Sequence, residues 1–111
     1  MPPDERISRL LDGLSGELSE EKLESLGREF NSLAQDRAET LVFFVLENVC
    51  LRLASALEGD GVSVDRHREL TIGIANQIQE ILRSVQQGSA NVEQLQRLVV
   101  SLYRNLGLYR Y

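Results

Sequence analysis

Several residue types are scarce in this chain of 111 residues, and each scarcity excludes a class of functional site. Cys50 is the only cysteine, so neither an intramolecular disulfide nor a cysteine-rich metal centre can form. His67 is the only histidine, whereas a metal site needs three or four ligands. No Gly-x-Ser-x-Gly turn is present, so nothing supports a Ser-His-Asp triad. We therefore expect no nucleophilic catalysis and no bound cofactor.

An excess of positive charge is also missing, because 17 acidic residues outnumber 12 basic ones and the net charge is −5. This balance argues against nucleic acid as the main partner, since phosphate binding relies on Lys and Arg. The tail mixes aromatic and basic residues from Tyr103 to Tyr111, including Arg104 and Tyr109. Such a tail can stack on single-stranded nucleic acid or insert into a partner protein, but three arginines among the last twenty residues are few for the former.

The first residues, MPPDERISRL, lack the cationic segment and apolar core of a signal peptide. The longest apolar run, Leu41 to Leu57, is shorter than the ~20 residues that span a bilayer and contains Glu47 and Arg52. We therefore expect a cytoplasmic protein with no membrane partner.

Apolar residues recur at helical spacing and none alternates as in a strand, which predicts an all-α protein. The predicted core positions are Ile7, Leu10, Leu11, Leu14, Leu23, Leu26, Phe30, Leu33, Ala34, Leu70, Ile74, Ile78, Ile81, Leu82, Val85, Val92, Leu95, Leu98, Val99, Leu102 and Leu106. Gly and Pro fall between these segments, as helix boundaries require.

The predicted boundaries define a short first helix over residues 4–14, a second that begins after Ser19 as N-cap, a fourth over 65–87 stopped by Gly88, and a fifth that begins after Asn91. Residues 20–58 form either one continuous helix or two, with a capping box from Asp36 to Glu39 at the break; we favour two. Short connections favour antiparallel neighbours. We expect a single domain, 1–111, folded as a four-helix up-down bundle with a short additional N-terminal helix.

Helix three contains the run Leu41 to Leu57, in which thirteen of seventeen residues are apolar. Its four polar residues fall within an arc of about 140°, so the remainder of its circumference is apolar. We therefore expect helix three to be the central element of the bundle, surrounded by its neighbours.

Two apolar residues, Phe44 and Leu51, lie seven residues apart among the polar residues of helix three. Either helix one or a loop covers them, or they form a contact seam with a second copy or another protein. Ile72 and Val100 also lie away from their core stripes and beside arginines, including Arg104, so they are candidates for the rim of a partner site.

Carboxylates cluster at the start of helix two, at Glu20, Glu21 and Glu24, and could hold Mg²⁺. The Glu21-x-x-Glu24 spacing is similar to the first half of the motif of all-α nucleotide pyrophosphohydrolases. The second half, Glu-x-x-Asp on a later helix, is not found. Acidic residues also suit the first turn of any helix, and Glu24 can pair with Arg28 one turn later.

His67 falls on the core stripe of helix four, where it packs partly into the core or lines a ligand pocket between helices. We expect Cys50 to be a small core residue. Taken together, the sequence favours a non-enzymatic interaction module (an adaptor, assembly factor or regulator) that binds a protein partner or a second copy of itself as a homodimer. The alternative is an Mg²⁺-dependent, nucleotide-hydrolysing enzyme that uses the glutamate cluster.

Overall fold

A computed structural model describes residues 3–14, 18–58 and 64–105 of the chain. These residues form five α-helices and no strand: α1 (Pro3–Gly13), α2 (Glu20–Asp36), α3 (Thr40–Glu58), α4 (Val64–Gln86) and α5 (Val92–Asn105). The all-α fold class is therefore confirmed, and residues 20–58 form two helices rather than one.

Local capping signals in the sequence produce most of the observed helix ends. Ser19 precedes α2, and its Oγ accepts a hydrogen bond from the Lys22 amide at 3.1 Å. Asn91 and Gln94 cap the start of α5 reciprocally, as a capping box requires. Gly88 follows α4 with a φ of 71°, and the amides of Gly88 and Ser89 bond back to the last turn in a Schellman motif.

The predicted capping box from Asp36 to Glu39 is wrong. Asp36 is the last residue of α2, and its carboxylate pairs with Arg6 of α1 at 2.9 Å. Glu39 instead accepts two hydrogen bonds from Arg37, which lower the pKa of the Glu39 carboxyl. The Asp36 carboxylate thus forms a long-range ion pair with Arg6 instead of capping the start of α3.

The most extensive helix contact joins α2 and α3. The rings of Phe30 and Phe43 stack between them with centroids 6.3 Å apart, and both side chains are fully buried. Gly27 allows the two backbones to approach closely, since a Cβ there would lie 3.1 Å from Leu51 Cδ2. The antiparallel pair α2–α3 therefore forms the most extensive helix packing in the core.

The other helices join through smaller contacts. Gln77 and Gln94 donate hydrogen bonds across the α4–α5 pair to Ser101 and Ser84, a register that makes α4 and α5 antiparallel. The α1 helix contacts α4 through Ser8, whose Oγ accepts a bond from Gln86. The shared core contains nearly all the predicted positions that the structure describes, but the prediction for Val92 is wrong, since its side chain is exposed at the first residue of α5.

The prediction that α3 is walled in by other helices is wrong for this single chain. Its buried residues are Phe43, Leu46, Val49, Cys50, Leu53 and Ala54, which occupy one side. Only α2 contacts α3 extensively, and α4 and α5 cover it less. The remaining apolar surface of α3 is therefore left to the solvent or to another molecule.

Candidate interaction surface

An apolar stripe follows the uncovered side of α3. Leu41, Phe44 and Leu51 are respectively 63%, 40% and 42% exposed. The sequence left open whether Phe44 and Leu51 are covered; both are partly exposed, and helix one does not bury them. Leu41 was not singled out from the sequence, because its position inside a long apolar run gave no sign that it lies beyond its neighbours.

This stripe lies between the contacts of α3 with two other helices. On one side Leu51 packs at Gly27 of α2, and Glu47 accepts a hydrogen bond from Asn31 of α2 at 3.3 Å. On the other side the Arg52 guanidinium lies 5.7 Å from the ring centroid of Tyr103 in α5, a cation–π contact. The α2 and α5 contacts are roughly a third of the helix circumference apart, so a strip between them faces neither helix.

The α5 side of the strip includes a shallow, mostly apolar cleft of about 120 Å³. It is lined by Val45, Asn48, Val49, Arg52, Val99, Leu102 and Tyr103. Beyond the cleft, the outer face of α5 carries Val100 with Arg97 and Arg104. The predicted partner residues Val100 and Arg104 thus share the outer face of α5, together with Ser101, whereas the α3–α5 cleft is lined by other residues of α5.

Not all predicted interface residues join this surface. Ile72 is exposed, but it lies on the side of α4 opposite the buried Ile74, which is the outer side of that helix. Tyr109 lies outside the described residues. The surface is therefore built from α3 and α5, flanked by α2.

The acidic cluster forms with a different membership from the one predicted. Glu20 and Glu24 of α2 meet Glu58 at the end of α3, and one carboxylate oxygen from each lies within 4.8 Å of the others. Glu21 is exposed and is not part of the group. Sequence spacing could not find Glu58, since it joins the cluster only because α2 and α3 run antiparallel.

Two predictions about single residues have different outcomes. Cys50 is a buried core residue as predicted, and burial raises the pKa of its thiol to about 12. The side chain of His67 lies outside the described residues.

A cleft of about 90 Å³ lies between α4 and α5 and is lined by Leu70, Gln77 and Ser101, among other residues. That volume corresponds to about three water molecules, well below the ~300 Å³ of an ordinary ligand pocket.

The length and composition of α3 bear on whether the protein lies in a membrane. Helix α3 is long and apolar enough to cross a membrane by length and composition alone, a criterion that core helices of soluble proteins also meet. The length of its apolar run therefore does not by itself exclude a membrane span.

Comparison of the chain with known protein families, curated proteins and solved structures finds no match.

Proposed function

We propose that this chain is a non-enzymatic protein–protein interaction module, an adaptor, assembly factor or regulator, which self-associates through α3. The observation that carries the proposal is the stripe of Leu41, Phe44 and Leu51, exposed on the most apolar helix of the chain. Contiguous exposed apolar surface marks contact sites in soluble proteins.

The charges on either side of the stripe favour a second copy of the chain as its binding partner. The α2 side of the stripe carries the acidic residues Glu47 and Glu24, whereas the α5 side carries Arg52. A surface with opposite charge on its two flanks is complementary to itself, as a two-fold interface requires.

The same proposal includes the arrangement of the domain as a four-helix up-down bundle, α2 to α5, with α1 laid against α2 and α4. Its support is the antiparallel pairing within α2–α3 and α4–α5, together with the bonds of Arg6 to Asp36 and of Ser8 to Gln86. These bonds bring the last turns of α2 and α4 to the same helix, α1. We also propose that the protein acts in the cytoplasm, with Glu47 and Arg52 of α3 in polar contacts instead of lipid.

The test is the self-association constant of a Phe44→Glu variant, measured by sedimentation velocity over a range of concentrations. We expect the dimer dissociation constant to rise by about tenfold or more, because the variant buries an unpaired carboxylate. The matched control is Ile72→Glu, an apolar residue of similar exposure on the outer side of α4. Equal affinity of the Phe44→Glu variant and the original chain, with unchanged helix content, would refute the proposal.

The second candidate is an Mg²⁺-dependent enzyme that hydrolyses nucleotides. The observation in its favour is the approach of the Glu20, Glu24 and Glu58 carboxylates, since Mg²⁺ takes oxygen ligands. Calorimetric titration with MgCl₂ and an assay for phosphate release from nucleoside triphosphates test it. Heat of binding together with turnover that Glu24→Gln abolishes would replace the first proposal with this one.

A further inference from the structure

The exposed side of α3 has a seven-residue repeat. Five exposed positions of α3 follow one another at alternating spacings of three and four residues, namely Leu41, Phe44, Asn48, Leu51 and Ser55, whereas the exposed Glu58 approaches the carboxylates of α2. This spacing is that of the a and d positions of a coiled coil, with Leu41, Asn48 and Ser55 at a. A helix with such a seam can pack along the same seam of a second helix.

Asn48 supplies the second observation. Asn at a single a position of a two-stranded coiled coil fixes the register and the number of strands, because two such side chains pair across the axis of a parallel dimer. Asn48 is exposed, and its Nδ2 donates a hydrogen bond to the carbonyl of Phe44 at 2.9 Å. A second Asn48 can therefore approach its Oδ1.

The flanking charges provide the third observation, because they lie at the same level along α3. Arg52 lies on the α5 side of the stripe, level with the middle of α3, where its guanidinium contacts Tyr103. The Leu51–Gly27 contact and the Glu24–Glu58 approach set Glu24 between residues 51 and 58 of α3, on the opposite side. Among the described residues, neither Glu24 nor Arg52 forms an ion pair.

The two orientations of a two-fold dimer bring different charged residues opposite one another. An axis along α3 exchanges the two flanks at constant level, so Glu24 of one copy faces Arg52 of the other. An axis across α3 keeps each flank on its own side, so α2 faces α2 and its acidic residues oppose one another. Like charges brought together across an interface are unfavourable, so the first orientation is preferred.

We infer that two copies pack their α3 helices side by side, parallel and in register, with Asn48 against Asn48 and the acidic flank of each copy against the basic flank of the other. This inference rests on the proposed self-association and adds its geometry. The partner is thus a second copy in one defined orientation.

Cysteine cross-linking tests the orientation directly. We would introduce Leu41→Cys and Ser55→Cys in separate chains; both are exposed a positions, about 21 Å apart along the helix. The native Cys50 is buried and does not compete. Each variant alone should form a disulfide-linked dimer on mild oxidation, because a positions meet their own equivalents in a parallel pair.

The other outcomes overturn the inference. Cross-linking only in a mixture of the two variants indicates antiparallel helices, and self-linking at only one position indicates helices that cross there. A dimer that links at neither position has its seam elsewhere. A chain that is monomeric before any oxidation instead refutes the proposed self-association, so the two failures are distinguishable.

Charge exchange provides a second measurement. Glu24→Arg and Arg52→Glu should each weaken the dimer by about threefold to tenfold, and the double variant should restore the original affinity, because the pair then meets with its charges reversed. Tighter or unchanged association of the Glu24→Arg variant contradicts the pairing of the flanks.

Discussion

Phe43 and Phe44 are adjacent residues of the same type with opposite surroundings, so they provide a matched test of which side of α3 is internal. Phe43 is fully buried and stacks on Phe30, whereas Phe44 is 40% exposed. Truncation of a buried Phe to Ala costs about 3–5 kcal/mol through lost burial and the cavity left behind. We expect Phe43→Ala to lose about 4 kcal/mol of unfolding free energy, out of a total of about 5–15 kcal/mol for an ordinary domain.

Urea unfolding followed by circular dichroism measures this loss. With a slope of about 2 kcal/mol per molar urea, a loss of 4 kcal/mol lowers the midpoint by about 2 M. The control is Phe44→Ala, which should cost less than about 1 kcal/mol at concentrations where the protein is monomeric, because its side chain already contacts water. Similar losses for the two variants, or a loss below about 1 kcal/mol for Phe43→Ala, would show that the inner side of α3 has been misassigned.

Three further predictions concern local features. Gly88→Ala should destabilise the protein by about 1 kcal/mol because Gly88 has a positive φ. Gly73→Ala, in the exposed middle of α4, should instead stabilise the protein by about 0.5–1 kcal/mol because Ala favours a helix. Thermal melts in which both variants shift the melting temperature in the same direction would contradict this pair of predictions. Asn91→Ala should cost about 1 kcal/mol through the loss of the α5 cap, and an unchanged urea midpoint would argue against that cap. The Cys50 thiol, whose pKa burial raises to about 12, should resist a disulfide reagent at pH 8 in the folded protein and react fully in urea; rapid reaction without urea would contradict its burial.

The sequence predicts those features of the fold that depend on neighbouring residues. Ser19, Gly88 and the Asn91–Gln94 pair form the expected helix ends because capping joins groups only three or four residues apart. The buried stripes also follow, since a helix fixes which of its side chains share a face.

Features that depend on contacts between helices could not be predicted in this way. Asp36 does not cap α3, and its carboxylate binds Arg6, thirty residues away in the sequence. Glu58 joins Glu20 and Glu24 only through the antiparallel turn between α2 and α3. The exposure of Leu41 could likewise not be predicted, because the apolar composition of a helix does not show how much of its surface the other helices cover.

Binding of a second copy to the uncovered side of α3 can be measured by sedimentation equilibrium of the unaltered protein over a wide range of concentrations. We predict a mass that rises with concentration to twice the 12.5 kDa of the chain and no further, since a two-fold interface closes on itself. A mass that stays at 12.5 kDa up to the highest soluble concentration would contradict the claim.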